Sequence, residues 1–340
     1  MDYYQKIVEK TVANQIPFAA HFELTYRCNI NCIHCYCVID KQRSEMPLET
    51  VTRILDELAE MGCLYVAFSG GEIFCRSDLN NILVYAAKKG FAIRLMTNGT
   101  LLDRDIVKSI KSIAPIAVEI SLYSMKAELH DQITGFPGSY EKTCQSINKL
   151  LENNIKVIIK TVFMKQNVYE YLPLKQFCSD HEIKFRYDLT LTPKIDGNKD
   201  NLRYRLNAEE LLSFLQTNEL TNNFPQRRYQ PESMLCNAGH NALSISPYGD
   251  VFPCVAVKQK MGNLNNSSLN NIWHSDLFAK FRSIRFDDLK ICPDCRLLQY
   301  CHRCIGESLI EDGDLLGPST SNCLIAEARS KTLSKERNSC

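Results

Sequence analysis

The sequence predicts an α/β fold with a parallel sheet, followed by a segment of different character. From about residue 19 to 191, β-like runs alternate with amphipathic helix-like runs, which gives six β–α units. Units of this kind favour parallel strands joined by crossover helices. After about residue 235, glycine, asparagine, proline and cysteine dominate and the periodicity fades. Such a composition is expected where bound metal, rather than an apolar core, fixes the fold.

Individual elements follow from local patterns. In Leu48–Met61, apolar residues recur at helical spacing, which predicts an amphipathic helix. Gly62 and Gly90 stand where the C-caps of helices would fall. The predicted strands are Ala19–Arg27, Leu64–Ser69, Phe91–Thr97, Ala117–Tyr123, Lys156–Met164 and Lys184–Leu191.

These patterns divide the chain into five segments. A connector with polar, proline-marked flanks and one helix, Ala208–Leu215, separates the α/β part from the cysteine-rich part. The predicted boundaries are 1–18 for an N-terminal helix or extension, 19–191 for the α/β part, 192–235 for the connector, 236–330 for the cysteine-rich domain and 331–340 for a tail.

Composition limits the choice of partners and compartment. Forty lysine and arginine residues balance 39 aspartate and glutamate residues, so no electrostatic case arises for nucleic acid or a membrane surface. The N-terminus lacks the apolar core of a signal peptide, and the longest apolar runs are far too short to span a bilayer. We therefore expect a cytoplasmic protein without nucleic-acid or membrane partners.

Sixteen cysteines are unusual for a cytoplasmic chain. Reducing conditions argue against a disulfide framework, which leaves metal binding or catalysis. Ten cysteines fall into two groups with ligand-like spacing. We expect ordinary thiols, with no ligand role, at the remaining positions Cys37, Cys63, Cys75, Cys144, Cys178 and Cys340.

The first group, Cys28, Cys32 and Cys35, follows the first predicted strand. Three thiolates in one loop can hold three corners of a cubane iron–sulfur cluster and leave the fourth iron open. One alternative is a zinc site with His34 as a fourth ligand, although its place between Cys32 and Cys35 would strain the loop. Another is a redox dithiol, which would use only two of the three cysteines.

The Cys-x3-Cys-x2-Cys loop resembles the cluster loop of the radical S-adenosylmethionine (SAM) superfamily. The resemblance implies a partial (β/α)6 TIM-like barrel and a SAM-binding 4Fe–4S cluster. It also implies an electron donor such as flavodoxin or ferredoxin, whose electron splits SAM into methionine and a 5′-deoxyadenosyl radical. Tyr36 follows the third cysteine as in many relatives, and we expect it near the cofactor.

The second predicted strand ends in Gly70, Gly71 and Glu72. Glycine lets the backbone approach a ligand closely, and a glutamate can accept a hydrogen bond from an ammonium group. A plain strand-to-helix turn would also explain these residues. Behind the cysteine loop, however, they resemble the family element that holds the methionine amino group of SAM. In relatives, the positions of Asn98 and Ser121 lie near the ribose and carboxylate of SAM, although the pair that begins with Asn98 is also a typical turn.

Strand alternation predicts a polar lumen. In the fourth strand, Val118, Ile120 and Leu122 suit the helix-facing side, so the residues between them face inward. Ordinary barrel interiors are filled with branched apolar side chains. The alternatives are a reaction chamber or a set of ion pairs that only organises the barrel. The inward positions are Arg94, Met96, Asn98, Glu119, Ser121, Tyr123, Lys160, Arg186, Asp188 and Thr190, of which Glu119, Lys160, Arg186 and Asp188 are the candidate catalytic residues.

Seven cysteines form the C-terminal group, which is more than one metal or cluster can use. A zinc ribbon is the competing interpretation because two Cys-x2-Cys pairs are present, but only five residues separate them. The order of glycine and cysteine resembles the SPASM extension of radical SAM proteins, except that Cys301 and Cys304 are separated by two residues rather than three. The resemblance implies two auxiliary 4Fe–4S clusters, one held by Cys236, Cys254 and Cys304 and one by Cys292, Cys295, Cys301 and Cys323.

The resemblance also implies a substrate class. Most SPASM relatives modify peptides or protein side chains, so we expect oxidative modification, such as a crosslink or thioether, of a ribosomally made peptide. The barrel surface or a separate leader-binding protein would read the leader of that peptide. The alternatives are an enzyme for a small molecule or tetrapyrrole, as in haem pathways, a sulfatase maturase, or a structural zinc protein. Val255 counts against the sulfatase role, because those relatives carry aspartate there.

Overall fold

The computed structural model describes residues 3–217 and 230–337. Nine strands form one sheet in the order β6-β5-β4-β3-β2-β1-β7-β8-β9, and the first six strands are parallel to their neighbours. The predicted α/β fold is therefore confirmed. The strands are β1 (Ala19–Thr25), β2 (Tyr65–Gly70), β3 (Ala92–Thr97), β4 (Ala117–Ser121), β5 (Val157–Val162), β6 (Lys184–Asp188), β7 (Ala242–Ile245), β8 (Asp250–Phe252) and β9 (Gly262–Asn263).

Helices connect successive strands of the parallel part and continue beyond it. Short 3-10 helices lie at Ile73–Cys75, Val168–Glu170, Asp200–Tyr204, Phe286–Asp288, Cys292–Asp294 and Leu298–Tyr300. The α-helices are α1 (Tyr3–Ala13), α2 (Leu48–Glu60), α3 (Leu79–Lys88), α4 (Arg104–Ile113), α5 (Ala127–Thr134), α6 (Ser139–Glu152), α7 (Tyr171–Asp180), α8 (Ala208–Thr217), α9 (Leu269–Trp273), α10 (Asp276–Arg282), α11 (Ile305–Asp312) and α12 (Thr320–Arg337).

Helix α2 shows how the sequence fixes one of these elements. The apolar residues at helical spacing are all buried against the sheet. The helix ends in a Schellman motif, in which the N–H of Cys63 donates to the carbonyl of Leu58 and that of Gly62 to Ala59. Gly62 has a φ of +83°, a conformation that glycine adopts without steric cost. The predicted amphipathic helix and its glycine cap are both present.

The sheet separates an apolar layer from a polar one. Side chains such as Phe22, Phe68, Leu95 and Ile120 are completely buried and form one core with the crossover helices. Their neighbours in sequence therefore face the opposite side of the sheet, which is the lumen. This alternation places charged residues where an ordinary barrel would have branched apolar ones.

The C-terminal segment contains more regular structure than the sequence suggested. Strand β7 pairs in parallel with β1, and β8 and β9 continue the same sheet as antiparallel strands. These strands have only four, three and two residues, so they are too short to show alternation in the sequence. The cysteine-rich part is thus an extension of the barrel sheet.

Both terminal helices pack against other parts of the chain. The segment around α1 contacts the C-terminal part, since the indole N–H of Trp273 donates to the carbonyl of Gln15. Helix α12 packs on α8. The connector helix begins at Ala208 as predicted, whereas residues 218–229 and 338–340, with Cys340, lie outside the described residues.

Among the described helices, none has the length and apolar character needed to cross a membrane.

Candidate functional site

The loop that carries Cys28, Cys32 and Cys35 lies at the carboxyl end of β1 and is held by its neighbours. The N–H groups of Asn31 and Ile33 donate to carbonyls of Thr134 and Ile133 at the end of α5, each at 3.0 Å. The amide of Asn98 donates to Asn29 Oδ1 at 2.9 Å. The cysteines are therefore positioned by the barrel rather than by their own loop alone.

The three thiols lie close enough to influence one another. Burial raises the pKa of Cys28 to about 11, and the negative charge of Cys35 adds to the rise. Burial and the charges of Cys35 and Cys28 likewise raise the pKa of Cys32. The fifteen described cysteines are all free of disulfides. Three converging thiols whose charges repel are a donor set that fits a cationic iron cluster.

A single metal ion makes a different demand on geometry. Within the described residues, no three His, Cys, Asp or Glu side chains form a group that could hold one ion. In a cubane cluster, by contrast, each cysteine binds a separate iron.

Cys37 is closer to this loop than expected. Its Sγ donates to the carbonyl of Gly70 at 3.6 Å. Its contact with Cys35 is the main reason why the pKa of Cys35 is lowered to about 7. This thiol therefore joins the cysteine loop to the end of β2, and its lack of a ligand role remains a prediction.

The glycines of the Gly-Gly-Glu turn approach the chain itself. A Cβ on Gly70 would lie 2.0 Å from the carbonyl oxygen of Thr25, and one on Gly71 would lie 2.4 Å from that of Arg27. The N–H of Gly71 donates to Thr25 O at 2.7 Å. The two glycines thus lie against the end of β1 and the residues that follow it, which lead into the cysteine loop.

Glu72 has protein donors on both carboxylate oxygens. Its side chain is fully buried and accepts hydrogen bonds from the hydroxyl of Thr97 and from the N–H groups of Asn98 and Phe74. Burial raises the pKa of Glu72 to about 6, while these hydrogen bonds lower it. In this structure Glu72 therefore ties the end of β2 to the end of β3.

The other predicted SAM contacts lie around the same end of the sheet. Asn98 Nδ2 lies 3.8 Å from Cys28 Sγ, next to the cysteine loop. Ser121 ends β4, beside Lys160 in the register of β5. The hydroxyl of Tyr36 donates to Glu23 Oε1 at 3.0 Å. Their contacts with SAM remain predictions.

In the lumen, Glu119 is surrounded by cations. Its carboxylate lies 3.3 Å from Arg94 Nη1, 3.4 Å from Lys160 Nζ and 3.5 Å from Arg186 Nη1. Asp188, the fourth residue of the predicted catalytic set, is exposed and accepts a hydrogen bond from the N–H of Thr190. The structure therefore brings Glu119, Lys160 and Arg186 together, with Arg94 as a further member, and leaves Asp188 apart.

A second polar cluster in the lumen was missed at the level of sequence. Glu23 on β1 is completely buried and accepts hydrogen bonds from Tyr26, Tyr36 and Lys258. Lys258 comes from the cysteine-rich part of the chain. Ala20, Phe22 and Leu24 are buried on the helix-facing side of β1. Alternation along the strand therefore predicts that Glu23 faces the lumen.

His21 connects the two lumen clusters. It lies on β1 and shares a hydrogen bond with Ser69 Oγ on β2. Burial lowers the pKa of His21 to about 4, and the charges of Glu23, Lys258, Lys160 and Glu119 all act on it. The imidazole is therefore neutral at pH 7. It lies between the Glu23–Lys258 pair and the cluster around Glu119.

Several of the C-terminal cysteines lie close enough for their charges to act on one another. Burial raises the pKa of Cys301 to about 11, and the charges of Cys323, Cys292 and Cys295 raise it further. The charge of Cys254, in contrast, acts on Cys304. The ligand roles of these cysteines remain predictions.

Cys236 lies in a loop that approaches Cys254 and Cys304. The N–H of Gly239 donates to the carbonyl of Pro253, next to Cys254. Cys236 and His240 also line a small cavity together with Ile305, which follows Cys304 in sequence. The fold thus brings the loop of Cys236 towards Cys254 and Cys304.

Comparison with known proteins identifies the family. A family model of the radical SAM superfamily matches residues 22–174, and a model of the SPASM iron–sulfur cluster-binding domain matches residues 236–296. The chain belongs to the radical SAM superfamily and carries a SPASM domain. This radical SAM/SPASM protein is an oxidoreductase-type enzyme, and its two domains imply SAM and iron–sulfur clusters as cofactors.

Three curated relatives align with most of this radical SAM/SPASM enzyme. The antilisterial bacteriocin subtilosin biosynthesis protein AlbA of Bacillus subtilis is 29% identical over 307 residues, which cover 86% of this chain and 68% of the relative. The AdoMet-dependent heme synthase of Methanosarcina barkeri is 24% identical, with 88% and 94% covered. The PqqA peptide cyclase of Bradyrhizobium diazoefficiens is 25% identical, with 78% and 76% covered.

A solved structure shares the fold. SuiB of Streptococcus suis, bound to the precursor peptide SuiA, superposes with a TM-score of 0.70 at 20% identity. The alignment covers 94% of this chain and 79% of SuiB. The barrel and the C-terminal extension therefore have the fold found in SuiB.

Proposed function

We propose that this enzyme oxidatively modifies a ribosomally made peptide. The observation that carries the proposal is the similarity to AlbA and to a PqqA peptide cyclase, since the first acts in the biosynthesis of a bacteriocin and the second on a peptide. A polar lumen next to the cysteine loop supports it, because a peptide segment carries polar groups that such a chamber can hold.

In this proposal, Cys28, Cys32 and Cys35 hold the cluster that binds SAM. Bound there, SAM supplies a one-electron cleavage whose product can remove hydrogen from an unactivated carbon. The protein supplies position and shelter. Glu72 and Asn98 fix the chain beside the loop, and the sheet with its crossover helices forms the wall of the lumen.

The seven C-terminal cysteines hold two auxiliary clusters in this proposal. The two sets of neighbouring thiols support two sites rather than one. Flavodoxin or ferredoxin would deliver the electron, and the barrel surface or a separate leader-binding protein would select the peptide.

Anaerobic co-expression tests the proposal. The enzyme is produced together with the product of a neighbouring short open reading frame, and the mass of that peptide is measured. We expect a mass change, such as the loss of two hydrogens for a crosslink, that disappears when Cys28, Cys32 and Cys35 are replaced by alanine. An unchanged mass, with SAM cleavage intact, would contradict the proposal.

The similarity to a haem synthase supports a second candidate, an enzyme for a tetrapyrrole. The same purified enzyme can be supplied with iron coproporphyrin or with the peptide, and 5′-deoxyadenosine can be measured. Formation that depends on the tetrapyrrole and not on the peptide would favour this second function.

A further inference from the structure

The charge cluster around Glu119 is unbalanced. Arg94, Lys160 and Arg186 lie within 3.3–3.5 Å of one carboxylate, which leaves two positive charges without a counter-charge inside the cluster. The other lumen pair, Glu23 with Lys258, is balanced. Asp188 is hydrogen-bonded to its own turn. The excess of positive charge thus belongs to one place in the lumen.

One of the cations is also underused as a hydrogen-bond donor, because the buried Nε of Arg94 has no acceptor. Both oxygens of Glu119 and the Nε of Arg94 are buried without a hydrogen bond, because the ionic contacts exceed good hydrogen-bond geometry. The side chain of Glu119 is only 1% exposed, whereas those of Arg94, Lys160 and Arg186 are 31%, 48% and 41% exposed. Buried polar groups in folded proteins nearly always have partners. The Nε of Arg94 and the exposed ends of Lys160 and Arg186 can therefore donate to an acceptor from outside the described chain.

The register of the sheet makes the arrangement costly without such a partner. Lys160 and Arg186 are directly paired across β5 and β6. Like charges in opposed positions of a sheet destabilise it. An anion between them would remove the repulsion and use the free donors.

The position of the cluster separates it from the expected SAM site. Glu119 precedes Ser121 by two residues on β4, so it lies about 6–7 Å deeper along the strand than the end where the cysteine loop sits. A group bound there would lie deeper in the lumen than the cysteine loop.

We propose that Arg94, Lys160 and Arg186 form a subsite for a carboxylate of the substrate, with Glu119 holding the three cations together. This subsite rests on the proposed function and names the chemistry of the peptide: an acidic side chain or a C-terminal carboxylate lies in the lumen. Guanidinium groups suit the purpose, since they bind carboxylates in a bidentate manner. The three cations and Glu119 act in binding and positioning.

Binding of three capped tripeptides to the anaerobic, SAM-loaded enzyme tests the subsite by equilibrium dialysis. Acetyl-Ala-Glu-Ala amide carries a side-chain carboxylate, acetyl-Ala-Gln-Ala acid carries a terminal one, and acetyl-Ala-Gln-Ala amide is neutral. We expect at least one charged tripeptide to bind about tenfold more tightly than the neutral one, as charge-assisted hydrogen bonds imply. The charged tripeptide that binds more tightly shows whether the subsite takes a side-chain carboxylate or a C-terminal one.

Variants connect the binding to the cluster. Lys160→Met and Arg186→Leu should abolish the preference for charge, whereas Lys111→Met, at an exposed lysine of helix α4, should keep it. Glu119→Gln removes the competing carboxylate and should tighten binding of the charged tripeptide, a result that a purely structural ion pair would not give. Equal binding of all three tripeptides, or an unchanged preference in both Lys160→Met and Arg186→Leu, would overturn the subsite.

The outcome is separable from that of the co-expression experiment. Charge-dependent binding with no modified peptide would keep the subsite and reject the proposed peptide function. A modified peptide together with charge-independent binding of the tripeptides would support the peptide function and reject the subsite.

Discussion

At the scale of single residues, the site depends on backbone contacts that side-chain motifs do not reveal. The Gly-Gly-Glu turn is recognisable in sequence, yet Gly70 and Gly71 face the backbone of Thr25 and Arg27. Glu72 is likewise engaged with Thr97 and Asn98. These three residues hold β1, β2 and β3 together directly beneath the cysteine loop.

Gly70→Ala should therefore be strongly destabilising. The added Cβ meets the carbonyl of Thr25 at 2.0 Å, and the φ of +133° is a conformation that favours glycine. We expect a loss of at least about 2 kcal/mol in the free energy of unfolding. Gly90→Ala is the matched control, because Gly90 also has a positive φ but nothing lies near its Cβ position. It should cost about 1 kcal/mol. Equal losses in chemical denaturation would contradict the proposed contact.

At the scale of elements, helix α5 supports the cysteine loop. Its last residues accept hydrogen bonds from Asn31 and Ile33. Within the helix, His130 is buried, and its Nδ1 accepts a hydrogen bond from the N–H of Tyr123 at 3.3 Å. A protonated imidazole could not accept this bond, so the helix is built around a neutral histidine.

This arrangement predicts sensitivity to acid. Burial lowers the pKa of His130 from 6.5 to about 4. Between these values the unfolded chain binds a proton that the folded protein does not, so stability falls as the pH falls from 6.5 to 4. Between pH 7 and pH 5, His130→Asn should make this decline shallower by about 2 kcal/mol. The comparison is made by chemical denaturation at pH 7 and pH 5, with the exposed His274→Asn as control. Identical pH profiles for wild type and His130→Asn would refute the assignment.

At the scale of the whole molecule, the barrel and the cysteine-rich part are one structure. Strand β7 continues the barrel sheet next to β1. Lys258 reaches from the cysteine-rich part into the lumen and pairs with Glu23 at 3.1 Å. Residues from both parts of the chain therefore line the lumen.

Lys258→Met should destabilise the junction. Glu23 is completely buried, so removal of its cation leaves an uncompensated charge and should cost about 3–5 kcal/mol. The double variant with Glu23→Gln should cost less than the two single losses together. Lys290→Met breaks an exposed pair with Asp314 and should change stability by less than about 1 kcal/mol. Additive losses at Lys258 and Glu23 in denaturation experiments would contradict a coupled pair.

The two groups of cysteines should fail in different ways. Replacement of Cys28, Cys32 and Cys35 by alanine should abolish SAM cleavage. Replacement of Cys292 and Cys295 should lower the iron content yet leave some cleavage, while no product forms. Iron and 5′-deoxyadenosine are measured in both, and Cys144→Ala, outside both groups, serves as control. Full product formation by the variant of Cys292 and Cys295 would contradict an auxiliary role for those residues.

Much of this architecture could be predicted from local patterns. The six parallel strands and α2 with its glycine cap follow from periodicity, because each pattern reports which face of an element is buried. The short strands β7, β8 and β9 could not be predicted in this way, since two to four residues contain too little alternation. The pairing of Glu23 with Lys258 could not be predicted either, since it joins residues far apart in the chain.

The sequence by itself determined the parallel sheet, the cysteine groups and the inward position of Glu119, Lys160 and Arg186. These features depend on spacing along one element, where backbone geometry alone sets the direction of side chains. Tertiary structure alone decided that Arg94 completes the ring around Glu119, that Asp188 stands apart, and that Lys258 closes the charge of Glu23. Such contacts depend on the register between strands and on the folding back of a distant segment, and no local pattern encodes either of them.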